Sequence, residues 1–305
     1  MANPRSYEDE GGHSARFAKL DEIVPVDGPG TLFLDLDQGS VRVTTHADPT
    51  VEIRARARGL GAEDVDFAVH LHEGDVEVDA TRSSWLPRWL RLTRIHVEAR
   101  VPEGFSVEID TGGGRVSASG IGGRIAVRSG GGSIRVREVS GPALLQTSAG
   151  AIRIARIEGD VRAKTGAGGV EAERISGFAE LRSGAGPLRI ARAVGPIDLR
   201  TGAGPVRVDF SRHPEGQIET QAGSVTIGLP RESAVDIDAK TRRGEVEVRL
   251  PIECEERATD ELRGRLGGGG APLRIRTGAG SIRITGRERA RRRDPRRRRH
   301  RRSCA

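Results

Sequence analysis

Residues 147–164 read TSAGAIRIARIEGDVRAK, residues 165–182 read TGAGGVEAERISGFAELR and residues 183–200 read SGAGPLRIARAVGPIDLR. Each segment has 18 residues, opens with Thr or Ser and carries glycine at its fourth position. The same step runs from Val107 to Phe210, with glycines at Gly114, Gly132, Gly150, Gly168, Gly186 and Gly204. A short unbroken period is typical of a stack in which each unit covers its neighbour. The repeat therefore predicts a solenoid.

Apolar residues occupy fixed columns of this repeat when its Thr or Ser is counted as position 1. Positions 6, 8, 11, 15 and 17 hold small aliphatic residues, which in one coil are Ile152, Ile154, Ile157, Val161 and Ala163. Inward residues two apart are typical of strands, so each coil should hold two short strands. Coils would stack at about 4.8 Å. The predicted fold class is an all-β, β-helix-like solenoid of 18-residue coils.

The remaining chain shows weaker periodicity. Alternating stretches such as Val51–Ala57 predict strands that cap the N-terminal end. The charged stretch 253–265 suggests an excursion or a short helix, and 273–285 suggests a final coil. The chain is expected to divide into a disordered leader (1–16), a strand-rich N-terminal part of the solenoid (17–106), the regular solenoid with C-terminal coils (107–286) and a disordered arginine-rich tail (287–305).

Composition limits the function classes. The formal charge of +7 describes the tail, because residues 287–302 hold eleven arginines and two acids, which give +9 there and leave −2 elsewhere. Cys254 and Cys304 form no CxxC pair, so neither zinc binding nor a disulfide framework is predicted. No signal peptide or apolar membrane span is recognisable. The default location is the cytoplasm, with peripheral membrane or surface association as the alternative.

The closing segment of the repeat region, which we call the C-terminal close, is the most specific motif. It runs from Leu262 to Ile282 as LRGRLGGGGAPLRIRTGAGSI, after a Leu250–Pro251 step and coils of glycine followed by alternating apolar residues. In these features, over about residues 32–285, the sequence resembles the bacterial putative-adhesin family, a domain of unknown function made of β-strand repeats. The resemblance implies a β-solenoid related to right-handed β-helices and an adhesin-like role. It offers no catalytic residues to transfer.

Catalytic and calcium-binding chemistry is not indicated. Repeats that bind Ca²⁺ between turns need an aspartate after the glycines, whereas Arg115 and Ser133 follow here. A polysaccharide-cleaving β-helix needs clustered carboxylates, but the acids are scattered, with Glu171, Glu173 and Glu180 on one or two neighbouring edges. No catalytic residue and no cofactor is predicted.

Histidines offer one metal-binding alternative. His70 and His72 lie on the polar face of one predicted strand and His96 on that of another, with Glu77 and Glu98 pointing the same way. A metal site is geometrically feasible if the three strands are neighbours. Ordinary histidine–carboxylate pairs on a sheet surface are the favoured interpretation.

Two outward columns are rich in arginine. Position 7 holds Ser117, Arg135, Arg153, Glu171, Arg189, Arg207 and, in the last coil, Arg283. Position 18 holds Arg128, Gln146, Lys164, Arg182, Arg200 and, before the last block, Arg276. Like charges about 4.8 Å apart repel unless anions or carboxylates offset them. A linear polyanion bound along these ladders is one interpretation; solubilising arginines that pair with nearby acids are the favoured one.

Two segments outside the repeat are further candidates for contacts. The tail should attract nucleic acid or anionic lipid head groups, unless it has no role; its central arginines are Arg296, Arg297, Arg298 and Arg299. Trp85 and Trp89 are spaced to share a helical face that Pro87 interrupts. An interfacial membrane or partner contact is one interpretation, and a loop or short helix capping a sheet is the favoured one.

The sequence as a whole favours a non-enzymatic, adhesin-like scaffold or interaction protein whose protein or envelope partner is unknown. The alternative is a polyanion-binding module that uses the tail and the ladders against nucleic acid or an anionic membrane. A glycan-active β-helix enzyme is the third hypothesis.

Overall fold

The computed structural model describes residues 17–59, 61–82 and 93–287. Within these ranges every regular element is a strand, and the 27 strands form two sheets. Sheet A has 13 strands and sheet B has 14. One continuous apolar core lies between them. The prediction of an all-β solenoid is therefore confirmed.

The N-terminal strands precede the strict repeat. They are β1 (Phe17–Pro25), β2 (Thr31–Leu36), β3 (Ser40–His46), β4 (Thr50–Arg58), β5 (Val65–His72), β6 (Asp75–Arg82), β7 (Arg94–Pro102), β8 (Ser106–Thr111) and β9 (Val116–Ser119).

The central strands alternate between the sheets, so that each coil contributes one strand to sheet B and the next to sheet A. They are β10 (Ile125–Ser129), β11 (Ile134–Val139), β12 (Ala143–Thr147), β13 (Ile152–Ile157), β14 (Val161–Thr165), β15 (Val170–Ile175), β16 (Ala179–Ser183), β17 (Leu188–Ala193), β18 (Ile197–Ala203) and β19 (Val206–Phe210).

The C-terminal strands complete both sheets. They are β20 (Gly216–Ala222), β21 (Val225–Pro230), β22 (Val235–Thr241), β23 (Val246–Arg249), β24 (Glu253–Arg257), β25 (Glu261–Leu266), β26 (Ala271–Ala279) and β27 (Ile282–Arg287).

The 18-residue step fixes the register of the stack. Successive coils pair in parallel with residues 18 apart, as with Ile134 and Ile152 in sheet A or Ala143 and Val161 in sheet B. The aliphatic columns point into the core, and in the coil that starts at Thr147 none of their five side chains is more than 2% exposed. Position 18 of sheet B and position 7 of sheet A consequently face solvent, as does position 16 of sheet B except at Ala126, which is 3% exposed.

The N-terminal end is closed by strands of both directions. Strands β2 and β3 stack on the coil β8/β9, and β6 and β7 lie in parallel outside them. Antiparallel strands follow, β5 in sheet B and then β4 and β1 in sheet A. The alternation of residues 17–106 therefore yields extra coils and hairpins that cover the apolar columns.

The last coil of the sequence is not the last coil of the stack. Strand β26 lies between β20 and β22, and β27 lies between β21 and β23. The expected terminal coil at 273–285 is thus the penultimate one. The short helix considered for 253–265 is also wrong, because β24 and β25 form an antiparallel pair there. Leu262 and Leu266 face inward at the two-residue period of a strand.

Candidate functional site

The arginines of position 7 lie side by side on the outer face of sheet A. Strand register makes Arg135 a neighbour of Arg153 and Arg189 a neighbour of Arg207. Glu171 stands between the two pairs, and its carboxylate lies 3.7 Å from Arg153 Nε. The row therefore consists of two arginine pairs separated by an acid.

The centre of this row carries unneutralised positive charge. Arg135, Arg189 and Arg207 are exposed and form no ion pair with any residue that the structure describes. Towards the two ends of the sheet the arginines are paired, with Arg42–Glu98 at 3.5 Å and Arg283–Glu247 at 2.7 Å. The excess charge is thus confined to the middle coils.

A second run of arginines lies at position 10 of the same coils. Arg156, Arg174 and Arg192 occupy it in three successive coils, and Arg156 is the register partner of Arg174. All three side chains are exposed and lack ion pairs within the described ranges. Arg174 Nε donates only to Ser176 Oγ, at 3.5 Å. We call these three residues the arginine corner.

The arginine corner was missed because only positions 7 and 18 were followed as outward columns in the sequence. Strands β11, β13, β15 and β17 keep two consecutive side chains, at positions 9 and 10, out of the core before position 11 turns inward, as the inward columns 8 and 11 imply. Counting every column would have revealed it, since position 10 holds Glu138, Arg156, Arg174 and Arg192.

A shallow groove separates the two arginine rows. Ala155 and Ala191 lie in it at position 9, and beside the corner it encloses about 560 Å³. We call the whole region the basic face. Its charged residues are Arg135, Arg137, Arg153, Arg156, Arg174, Arg189, Arg192 and Arg207, with Glu138, Glu171 and Glu173.

The position-18 residues lie on the outer face of sheet B, where most of the arginines bind acids of that face. The pairs are Arg128–Glu108 at 3.3 Å, Arg182–Glu180 at 2.8 Å and Arg200–Asp198 at 3.1 Å. Lys164 has no carboxylate partner among the described residues. This row is consequently closer to neutral than the basic face.

Three aspartates continue the position-18 row towards the N-terminal end. Asp79, Asp35 and Asp110 are register partners on β6, β2 and β8. Burial, followed by the charges of Asp110, Asp79 and Asp37, raises the pKa of Asp35 above its ordinary value. From β6 to β18, the position-18 row on sheet B therefore begins with acidic residues and continues with mainly basic ones.

The sequence profile of the Toastrack domain DUF4097 matches residues 31–285 of the chain. The chain belongs to the Toastrack family. The match confirms the resemblance that the coils and the C-terminal close had suggested. A comparison with curated proteins finds no significant match.

Several solved structures resemble this Toastrack chain. A putative adhesin from Bacteroides fragilis is 10% identical with a TM-score of 0.43, over 88% of this chain and 97% of the other. A putative lipid binding protein from Parabacteroides distasonis is 9% identical with a TM-score of 0.46, over 87% and 96%. A putative cell adhesion protein from Clostridium sporogenes is 14% identical with a TM-score of 0.25, over 89% and 100%.

The histidine–carboxylate set is divided between the two sheets of the Toastrack fold. His70 and His72 lie on β5, with His70 opposite Glu77 in sheet B. His96 lies in sheet A, where its Nε2 is 3.2 Å from Glu98 Oε1. The metal-site hypothesis is wrong, because it required the three strands to be neighbours. Within the described ranges no group of three His, Cys, Asp or Glu side chains is placed to hold a metal ion.

The carboxylates considered for glycan chemistry do not converge. Glu171 and Glu173 face outward from sheet A, whereas Glu180 faces outward from sheet B. Arg162 and Arg182 bind the Glu180 carboxylate at 3.3 and 2.8 Å. Glu171 and Glu173 line one groove of sheet A together with arginines, whereas Glu180 lies on the opposite sheet, so the three carboxylates do not face one another.

The arginine-rich tail begins beside the basic face. Arg287, assigned to the tail from the sequence, ends β27 and places its Nη1 3.1 Å from Asp209 Oδ2 and 3.4 Å from the carbonyl oxygen of Ala191. Residues 296–299 of the tail, and Trp85 and Trp89, lie outside the described residues. In the ranges described, the Toastrack chain has no helix long and apolar enough to cross a membrane.

Proposed function

We propose that the protein is a non-enzymatic, adhesin-like interaction scaffold that binds a linear polyanion along its basic face. The observation that carries this proposal is the arginine corner. Arg156, Arg174 and Arg192 follow one another in consecutive coils without a carboxylate partner in the described chain. An anion that bridges adjacent guanidinium groups would offset their mutual repulsion.

The shape of the face suits a polymer or surface with many phosphates. The coils repeat at about 4.8 Å, so the five coils from Arg135 to Arg207 offer guanidinium groups over roughly 20 Å. Contacts to phosphate oxygens need no base recognition, and they release counterions. Aromatic residues make up only 3% of the chain, so stacking of unpaired bases would contribute little.

A scaffold role also suits the interior. The inward columns are aliphatic and closely packed, so they make the coils rigid. We propose that the protein acts as a scaffold and not as an enzyme, in the cytoplasm or peripherally at the membrane, where nucleic acid and anionic lipid surfaces are available. The tail, which starts beside the basic face, would raise the effective concentration of the same polyanion there.

Binding of labelled duplex DNA and of phosphatidylserine vesicles, each measured at several salt concentrations, tests this proposal. The triple variant Arg156→Gln/Arg174→Gln/Arg192→Gln should weaken binding at least about tenfold at low salt and reduce the slope of log K against log salt by about 2–3 for duplex DNA. The matched control Arg58→Gln/Arg94→Gln/Arg124→Gln removes the same charge from exposed arginines elsewhere and should have a smaller effect.

Each arm of the experiment has a distinct meaning. Equal losses in the two triple variants would show that only net charge matters and would overturn the proposal. Binding abolished by deletion of residues 288–305 but unchanged in the corner variant would assign binding to the tail alone. Preference for DNA or for vesicles identifies which phosphate-bearing partner the face accepts.

A further inference from the structure

The outer face of sheet B has its charges sorted along one row. The strands lie side by side in the order β6, β2, β8, β10, β12, β14, β16 and β18. In that order the position-18 residues are Asp79, Asp35, Asp110, Arg128, Gln146, Lys164, Arg182 and Arg200. Three acids are followed by four cations and one amide. If a second copy of the row is laid against it in the opposite strand order, the acids of each copy face cations of the other.

The acidic end of the row is unsatisfied within the chain. Asp79, Asp35 and Asp110 form no ion pair with any described residue, although their like charges lie in register on three adjacent strands and repel one another. The raised pKa of Asp35 reflects burial and this repulsion. Cations brought from outside would relieve that cost.

We propose that two copies of the chain dock face to face through sheet B, related by a two-fold axis parallel to the strands and passing between Arg128 and Gln146. Such an axis keeps each position of the repeat opposite itself and reverses the order of the coils. The row then pairs Asp79 with Arg200, Asp35 with Arg182, Asp110 with Lys164 and Arg128 with Gln146. All three aspartates meet a cation of the second copy.

The neighbouring row supplies an apolar centre to the same contact. Position 16 of this face holds Glu108, Ala126, Leu144 and Arg162 in four adjacent strands. Around the same axis, the half-buried Leu144 lies opposite Ala126, which is only 3% exposed, so Leu144 of each copy supplies the apolar contact. Glu108 lies opposite Arg162. An apolar centre with paired charges around it is the usual anatomy of a specific interface.

The outer ends of this second row are the less favourable part of the contact, because Phe33 would lie over Glu180 and Glu77 would face the like-charged Asp198. Arg182 binds Glu180 at 2.8 Å and Arg200 binds Asp198 at 3.1 Å, which offsets the charge of both carboxylates. A guanidinium group has five N–H donors, so Arg182 and Arg200 retain donors for the aspartates of the second copy.

The contact is large enough for a weak, specific dimer. Eight strands at about 4.8 Å and five residues at about 3.3 Å cover roughly 600 Å² on each copy. This gives about 1,200 Å² in total, at the lower end of specific interfaces. The proposal does not rest on the proposed function, because it uses the opposite sheet from the basic face.

Sedimentation velocity of the full chain over a concentration series, at low and high salt, tests the dimer. The wild-type chain should dimerise reversibly and dissociate as salt rises. Asp35→Arg and Arg182→Asp should each raise the dissociation constant by roughly 100-fold, because each places like charges opposite one another twice. The double variant Asp35→Arg/Arg182→Asp should restore the dimer.

Mixing the two single variants gives a test that misfolding cannot imitate. In a mixed dimer, the arginine introduced at position 35 would meet the aspartate introduced at position 182, while the native Arg182 and Asp35 would meet at the symmetric contact. Two monomeric variants should therefore associate with each other. Arg189→Asp on sheet A is the matched control and should leave the dimer unchanged. A wild-type chain that stays monomeric, a mixture that does not associate, or a dimer lost in Arg189→Asp would each overturn the proposal.

Discussion

The Thr or Ser hydroxyl at position 1 of the coil is buried in the corner between the sheets. Thr165 Oγ1 donates to the Gly150 carbonyl of the previous coil at 2.9 Å and accepts from Gly168 N at 3.1 Å. Thr147 repeats the arrangement one coil earlier. The hydroxyl thus pairs corner backbone groups that have no strand partner, which explains why this column admits only Thr and Ser.

Thr220 is the exception, and the contrast makes a prediction. Its Oγ1 is buried and has no hydrogen-bond partner, and the coil from Thr201 to Thr220 is one residue longer than the repeat. Thr165→Val should lower the free energy of unfolding by about 1–3 kcal/mol, because two backbone groups lose their partner. Thr220→Val should be neutral or stabilise by up to about 1 kcal/mol, because it removes a buried unpaired hydroxyl.

Urea unfolding followed by circular dichroism measures both changes, and valine matches the shape of threonine in each variant. Equal destabilisation by the two substitutions would contradict the role given to the hydroxyl. The sequence shows that position 1 is Thr or Ser, but not that its side chain points inward, because spacing alone does not tell a buried hydroxyl from an exposed one.

At the scale of the coil, the glycine at position 4 lets neighbouring corners approach. A Cβ on Gly168 would overlap the carbonyl oxygen of Gly150, and one on Gly150 would overlap that of Gly132. Neither glycine has a positive φ, so contact with the next coil, and not backbone conformation, excludes a side chain. Glycine therefore recurs every 18 residues because each coil stacks closely on the one before it.

Substitution of a corner glycine should therefore separate two coils. Gly168→Ala should destabilise the fold by about 1–3 kcal/mol or more, because the backbone of an adjacent coil must move. Gly131→Ala is the matched control: nothing lies within 4 Å of its Cβ, and alanine occupies that column at Ala149, Ala167 and Ala185. Thermal unfolding of the two variants measures the difference. If Gly131→Ala lowers the melting temperature as much as Gly168→Ala does, close contact with the next coil is not what excludes a side chain at position 4.

The inward columns of the coil could be predicted from sequence, whereas its outward surface could be predicted only in part. The inward columns repeat because every coil meets the same core. The arginine rows were visible as columns, but their pairing was not, since Glu171 neutralises Arg153 through register with the adjacent coil. The arginine corner at position 10 was visible as a column too, since Arg156, Arg174 and Arg192 are 18 residues apart, but its lack of carboxylate partners within the described residues was not.

For the whole molecule, the order of coils could not be read from the sequence. Any coil with the standard inward columns can stack on any other. The pattern at 273–285 is therefore compatible with a position at the end of the stack or inside it. The structure inserts it as β26 and β27 between two coils that precede it in the chain. Strands β22 and β23 thereby depend on a segment synthesised after them, and among the described strands β23 pairs only with β27.

This dependence predicts different outcomes for two C-terminal truncations. A chain that ends at residue 270 loses Leu273, Ile275, Ile282 and Ile284, which are all fully buried and contribute roughly 1.5–3 kcal/mol each. It should unfold at a clearly lower urea concentration, and proteases should cleave it between 231 and 270. A chain that ends at Arg287 keeps both ladders and should unfold like the full chain. If the chain ending at 270 matches the full chain, β22 must pair directly with β20, and the inserted coil would be dispensable for closing the stack.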